Sequence, residues 1–307
     1  MAVIEGALVY SNLLALLSIG LTITYITTGV PNFAQGTMAV FGSYVSLTLW
    51  LLFGVHPYHT IPVSFILGGI LGIAIYTVVL RPMIQKEAMI VILMIATLAV
   101  DLILLGALGA YSETLGVISG KGTRKFIFTP MDFKILGADA ILVISSLAIL
   151  MLLFTLFLLL YKTKFGIALR ASMENPALAE IMGVNVEYTR IFSWFLSGSL
   201  AAVAGTLLPF RQEIVPATGA IIIVSIFAAS IVGGLSSIYG ALAGGYIIGM
   251  SESMVTFYLS KVIGPYILVY SKVISLIVLI IALIVAPSGI AGLEIWRKRV
   301  WRKSSSS

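Results

Sequence analysis

Four polar residues lie within apolar stretches that tolerate them only if their side chains have work to do. Asn32 and Gln35 follow Gly29 and Pro31 in the stretch GVPNFAQGTMAVFGSY, residues 29–44. Each amide offers donors and an acceptor. It can satisfy backbone groups freed where a helix breaks, or, turned toward a pore, hydrogen-bond a zwitterionic solute. Irregular backbone is tolerated at membrane depth only against protein or water. Asp101, in IATLAVDLILLGALG, and Glu252, in GGYIIGMSESMV, are carboxylates inside apolar runs. An ionised carboxylate there costs at least ~2.5 kcal/mol, so each is expected to face a bundle interior or a water-filled cavity. It then serves either a pathway or a helix-packing hydrogen bond. Asp101 is expected nearer the outer end of its run, and Lys272 is expected to snorkel to the membrane interface. His56 and His59 flank a proline in GVHPYHT with no cysteine or carboxylate beside them, and read as loop residues, not metal ligands. No nucleophile, base and orienting group stand at a defensible spacing, so the residues do not read as an enzyme.

The elements that must hold these residues follow from composition. Of 307 residues, 60% are hydrophobic and 10% charged, with a mean hydropathy of +1.13, whereas ordinary soluble domains are about 25% charged. This is the composition of an all-α, polytopic membrane protein. Apolar runs between breakers predict about eight or nine spans: 7–28, 35–53, 60–80, 89–109, 139–161, 189–208, 217–233, 238–258 and 266–286. The second admits a broken or re-entrant form. Residues 1–295 read as one transmembrane domain, followed by a basic tail over 296–307. Lysine and arginine favour an outside N-terminus and a cytoplasmic tail, because that assignment places eleven of the eighteen basic residues inside. The same topology accounts for the excess of positive charge, so no nucleic-acid partner is expected. The first basic residue is Arg81, so no charged signal-peptide region precedes the first run, which is read as a retained span. Cysteine is absent, which excludes disulfides and thiolate sites.

Two non-membrane segments are long enough to have a role. One, at 110–138, mixes basic, aromatic and β-branched residues and falls outside; it reads as an ordered cap or as a tether. The other, at 162–188, falls inside. Its centre, ENPALAEIMGVN, predicts a short helix: Asn175 can cap it, Pro176 fits its first position and Gly183 supplies a left-handed stop. Leu178, Ile181 and Met182 then share one face. That face either lies on lipid headgroups or inserts into a groove of another protein. Glycines four apart in GGILG (68–72), GALAG (240–244) and GYIIG (245–249) predict close helix packing.

R-A-S-x-E-N-P-x-L-A-x-x-M-G-V-N, Arg170 to Asn185, resembles the cytoplasmic coupling segment of the branched-chain amino acid ABC permeases of bacteria and archaea. G-x-x-x-x-Y-x-x-x-G-V-x-N-F-A-Q-G, Gly20 to Gly36, is similar to that family's early stretch, where a histidine commonly replaces Gln35. G-G-L-S-S-I-Y-G-A-L-A-G-G, Gly233 to Gly245, with Glu252 beyond it, is similar to its late glycine-rich segment. The resemblance implies a plasma-membrane permease subunit for leucine, isoleucine and valine, or for other amino acids, urea or short amides. Its implied partners are two ATPase subunits holding ATP and Mg, a second homologous permease or a second copy of itself, an extracytoplasmic solute-binding protein, and membrane lipid. Arg170, Glu174, Asn175, Pro176, Leu178, Ala179, Ile181, Met182 and Gly183 would then couple to the ATPase, and Pro31, Asn32, Phe33, Gln35, Gly36, Asp101 and Glu252 would border the substrate pathway. The chain itself has no phosphate loop, because GVISGKGT at 116–123 lacks the required spacing. Two competing readings remain: an ion-coupled transporter using Asp101 or Glu252, and a non-transporting scaffold.

Overall fold

The computed structural model describes residues 3–135, 137–174, 176–286 and 289–292. The tail expected over 296–307 and the capping residue Asn175 lie outside the described residues. The helices are α1 (Val3–Thr28), α2 (Gln35–Phe53), α3 (Ile61–Ile75), α4 (Arg81–Gln85), α5 (Ile90–Ser119), α6 (Ala140–Lys162), α7 (Lys164–Glu174), α8 (Pro176–Ile181), α9 (Val186–Leu207), α10 (Thr218–Gly233), α11 (Ile238–Val262) and α12 (Ser271–Val285). A π-turn, Tyr76–Leu80, joins α3 to α4, and a two-stranded ribbon pairs β1 (Lys134–Ile135) with β2 (Ala138–Asp139).

A helix stands at each of the nine predicted spans. Among the described residues, seven helical stretches are long and apolar enough to cross a membrane. The short α10 has 16 residues, and the Gly-rich α11 has 25. Two expectations are corrected. The fourth span does not stop at 109: Gly109 and Gly116 are carried within the helix, and α5 runs on to Gly120, whose left-handed φ of 65° ends it. The segment expected at 110–138 therefore begins only at about Gly120, and Asp101 lies in the body of α5 instead of near its end. Residues 164–174, to which the sequence reading assigns no element, form the 11-residue α7.

Two three-helix units of opposite direction build the core. In each, the first helix packs chiefly on the third helix of the other: α1 on α11, and α9 on α3. These central helices are the most enclosed, with 94% of the α1 span and 83% of the α9 span buried, against 28% for α5. Glycine makes the seams close. A Cβ on Gly205 of α9 would run into the Ala39 carbonyl of α2, and one on Gly245 of α11 would lie 2.5 Å from the Ala15 Cα of α1. Such contact supplies dispersion energy where lipid gives no hydrophobic drive. The predicted glycine pairs lie on these seams: Gly68 and Gly72 face α9, Gly244 faces α10, and Gly249 faces Ser11 of α1.

The described residues of the 120–138 segment pack across the end of α9. Phe126 bridges Ile214, the Phe128 N–H donates to the Pro209 carbonyl at 2.8 Å, and Tyr58 stacks on Phe210 at 4.2 Å. His56 Nε2 lies 3.2 Å from the Met131 carbonyl, which ties the 54–56 turn into the same cap.

Candidate functional site

Gly29, with φ of 70°, turns the chain sharply at the end of α1. Residues 30–34 then run back into the bundle without helical structure and are largely buried. As a result α2 starts midway along its neighbours. Gln35 Nε2 donates to the Leu17 carbonyl, near the middle of α1, at 3.4 Å, and Ser197 Oγ of α9 donates to Gln35 Oε1 at 3.0 Å. Asn32 Nδ2 donates to the same Oε1 at 3.1 Å, while Asn32 Oδ1 accepts from the Ala34 N–H. Thr97 Oγ1 of α5 donates to the Pro31 carbonyl and accepts from the Phe33 N–H. Interior loop backbone is thus satisfied by side chains, as a membrane interior demands. Asn32 and Gln35 are wholly buried, and Phe33 stacks on Phe227 of α10 at 4.8 Å.

The second unit repeats the device. Residues 211–217 descend from the opposite end, and α10 begins where α2 begins: a Cβ on Gly36 would strike the Gly219 carbonyl, and one on Gly219 would lie 2.6 Å from the Thr37 N. Two helix N-termini, reached from opposite ends, therefore meet inside the bundle. Thr37 Oγ1 donates to Asp101 Oδ1 at 2.5 Å, which brings α5 to the same junction. Pro31, Asn32, Phe33, Gln35, Gly36 and Asp101 thus form one neighbourhood.

Glu252 lies apart from it, toward the end of the bundle that carries the 120–138 segment. Its carboxylate accepts from four groups on three other helices: Tyr10 Oη at 3.1 Å, Ser225 Oγ at 2.7 Å, Ser275 Oγ at 2.5 Å and Lys272 Nζ at 2.5 Å. Lys272 does not snorkel. A buried carboxylate within reach is a better partner than the interface, and the ammonium also donates to Tyr10 Oη at 2.8 Å. Sequence reasoning missed Tyr10, Ser225 and Ser275; hydroxyls inside apolar helices were the only available signal.

At the opposite end, Pro176 opens α8, and Gly183, with φ of 84°, ends it after the Val184 N–H bonds the Ala179 carbonyl at 2.9 Å. Ala179 is buried, whereas Leu178, Ile181 and Met182 are 55%, 80% and 77% exposed. Arg170 of α7 lies beside the α10–α11 turn at Ser236 and Ser237, and Glu174 ends that helix. From here the chain enters α9 through Asn185, whose Oδ1 caps the Tyr188 N–H at 2.8 Å. The first turn of α9 is held at two points. Glu187 accepts from Tyr76 Oη at 2.9 Å and lies 2.8 Å from Arg81 Nε, and Arg190 Nε donates to the Thr27 carbonyl at 3.3 Å.

Nearly continuous apolar helices, two interior helix starts and a carboxylate paired with an ammonium inside the bundle define a polytopic membrane protein. The model of the branched-chain amino acid transport system permease component matches residues 3–283. The chain belongs to this family, a permease component of ABC transporters, and membership implies ATPase and solute-binding partners. It is 61% identical over 296 residues to the "Probable branched-chain amino acid transport permease protein LivH" of Methanocaldococcus jannaschii, covering 96% of this chain and 93% of that one. The LivH "High-affinity branched-chain amino acid transport system permease protein" of Salmonella typhimurium is 29% identical over 290 residues, 91% of each chain. The corresponding BraD protein of Pseudomonas aeruginosa is 27% identical over 297 residues, again 91% of each.

Proposed function

We propose that the chain is the membrane-spanning subunit of an ATP-driven importer of branched-chain amino acids, residing in the plasma membrane with its N-terminus outside and its C-terminus in the cytoplasm. ATP and Mg are held by two partner ATPase subunits, a second permease or a second copy of this chain completes the pathway, and an extracytoplasmic binding protein delivers the solute. The observation that carries the reading is the α8 projection. A six-residue helix is too short to stand by itself, yet it is folded, stopped by glycine and presents Leu178, Ile181 and Met182 outward. That is the shape of a knob for a groove on another protein. Arg170, Glu174, Pro176, Ala179 and Gly183 belong to the same coupling segment, as does Asn175, which lies outside the described residues. Its movement is passed to α9 through residues 183–185, and from α9 to α1 through Arg190 and to the π-turn and α4 that follow α3 through Glu187. Pro31, Asn32, Phe33, Gln35, Gly36, Asp101 and Glu252 border the route that opens in another state of the cycle.

The test is a pull-down of the ATPases with Ile181→Asp and Met182→Asp variants. Loss of association with an unchanged melting profile is expected, because both side chains lie outside the bundle. Retained association would return α8 to the role of an interfacial helix. Uptake by the chain alone, collapsing with an ion gradient and with Asp101→Asn, would replace the ATP-driven reading altogether.

A further inference from the structure

A cleft of about 670 Å³ opens between α1, α10, α11 and α12, on the end of the bundle that carries the 120–138 segment. It lies within the usual size range of small-molecule sites, roughly 300–1,000 Å³. Its floor includes Thr218, adjacent to the Gly219 that touches Gly36 and Thr37, so it reaches the place where the two interior helix starts meet.

Both carboxylates that line this cleft are already paired, which leaves one cation without a carboxylate partner among the described residues. Glu252 is paired with Lys272, and Glu213 at the mouth is paired outward with Lys125 at 2.9 Å. Arg211 lines the same cleft, and its Nε donates to the Gly6 carbonyl at 3.2 Å. No carboxylate pairs with it among the described residues. Its guanidinium therefore keeps a two-pronged donor set suited to a carboxylate. Lys272 has three N–H donors, of which Glu252 and Tyr10 take two. Thr256 also lines the cleft; it is 5% exposed, and its hydroxyl has no partner among the described residues. An unpaired buried hydroxyl is costly, and a ligand that bonds it would relieve that cost. Ile221, Ile222, Phe257 and Leu268 make the rest of the wall apolar.

We propose that this cleft is a solute subsite within the permease, taking a small aliphatic carboxylate. Arg211 and the free donor of Lys272 hold the carboxylate, Thr256 contributes its hydroxyl, and the apolar wall receives the aliphatic side chain. This inference rests on the importer reading and gives it a first stopping point between delivery and the interior junction.

The absence of cysteine permits a clean test. Ser253 lines the cleft, so Ser253→Cys, in the full complex with its partner subunits in nanodiscs, is labelled with N-ethylmaleimide with and without leucine. At ten times Kd about a tenth of the sites stay free, so the labelling rate should fall roughly tenfold. Leucinamide, which lacks the carboxylate, should leave the rate unchanged, and Arg211→Gln should abolish protection by leucine. Gln212→Cys repeats the measurement if Ser253→Cys fails to assemble. Labelling that ignores leucine at both positions, or protection by leucine and leucinamide alike, overturns the subsite. ATP-driven uptake by cysteine-free proteoliposomes is measured in parallel. Uptake with unprotected labelling sinks only the subsite, whereas absence of uptake sinks the importer reading and the inference with it.

Discussion

Lys272→Met tests the packing logic of the bundle most sharply, because Glu252 joins four helices through one carboxylate. With the ammonium gone, Oε2 keeps its hydrogen bonds from Ser225 and Ser275 and Oε1 keeps that from Tyr10, but the negative charge has no counter-charge. Removing one partner of a buried ion pair costs about 3–5 kcal/mol. Glu252 retains 5% side-chain exposure and Lys272 21%, so partial hydration of the lysine puts the expected loss near the lower figure. Glu252→Gln should cost a similar amount by stranding the ammonium. The double variant removes both charges and leaves a glutamine able to bond Tyr10, Ser225 and Ser275. Since replacing a whole buried pair is often close to neutral, it should be more stable than either single variant.

The assay is the apparent melting midpoint of detergent-solubilised protein followed by fluorescence-detected size exclusion, read as a double-mutant cycle. Coupled neighbours deviate from additivity by about 0.5–3 kcal/mol. An additive double variant, or single variants that melt with the parent, would show that the ammonium is not held on the carboxylate and that Lys272 faces the interface instead.

Other positions carry their own expectations. Gly205→Val should lower the melting midpoint strongly, because its new side chain meets the Ala39 backbone, whereas Gly106→Ala, with nothing within 4 Å of its Cβ, should melt with the parent. Gln35→Leu should destabilise by several kcal/mol, since Asn32 Nδ2 and Ser197 Oγ lose their shared acceptor and each orphaned buried group costs about 1–3 kcal/mol; an unchanged midpoint would mean that the interior turn is solvated. Glu187→Gln breaks a half-exposed contact with Arg81 worth no more than about 1 kcal/mol, so it should leave melting nearly unchanged while lowering uptake per ATP hydrolysed, measured in proteoliposomes.

What could be read from the residues, and what could not, divides along a physical line. Helix positions were legible because hydrophobic length and breakers act locally. Gly183 ends α8 as its type requires, and glycines four apart mark the seams at Gly68, Gly245 and Gly249. α5 runs past the expected end at 109 because glycine inside an apolar helix is tolerated, and only the left-handed Gly120 stops it. Partnership was not legible: Tyr10 and Glu252 are separated by 242 positions, and hydropathy carries no information on which distant hydroxyl will meet a carboxylate. For the same reason Lys272 was assigned to the interface. Its long stem reaches water or an internal anion equally well, and only the packed bundle decides.

The seams also limit which parts can move relative to one another. Where a Cβ would strike a neighbour's backbone, as at Gly205 on Ala39 or Gly72 on Trp194, the helices interlock at backbone contact. Sliding one past another there would force carbonyls together, and close-packed interfaces yield by switching between discrete arrangements rather than by deforming. The start of α9 is tied to the end of α1 through Arg190 and to the π-turn and α4 that follow α3 through Glu187. A displacement of α9 would therefore carry α1 and α3 with it as one body. Relief must come at looser boundaries, and α5, α6 and α12 offer them, being 28%, 28% and 25% buried. Of these, α12 reaches the core through Lys272 and Ser275 on Glu252, while α5 reaches it through Thr97 and Asp101 on the interior start of α2. Those polar clasps are the contacts that a change of state must keep or break, and both lie next to the meeting helix starts or the cleft that leads to them.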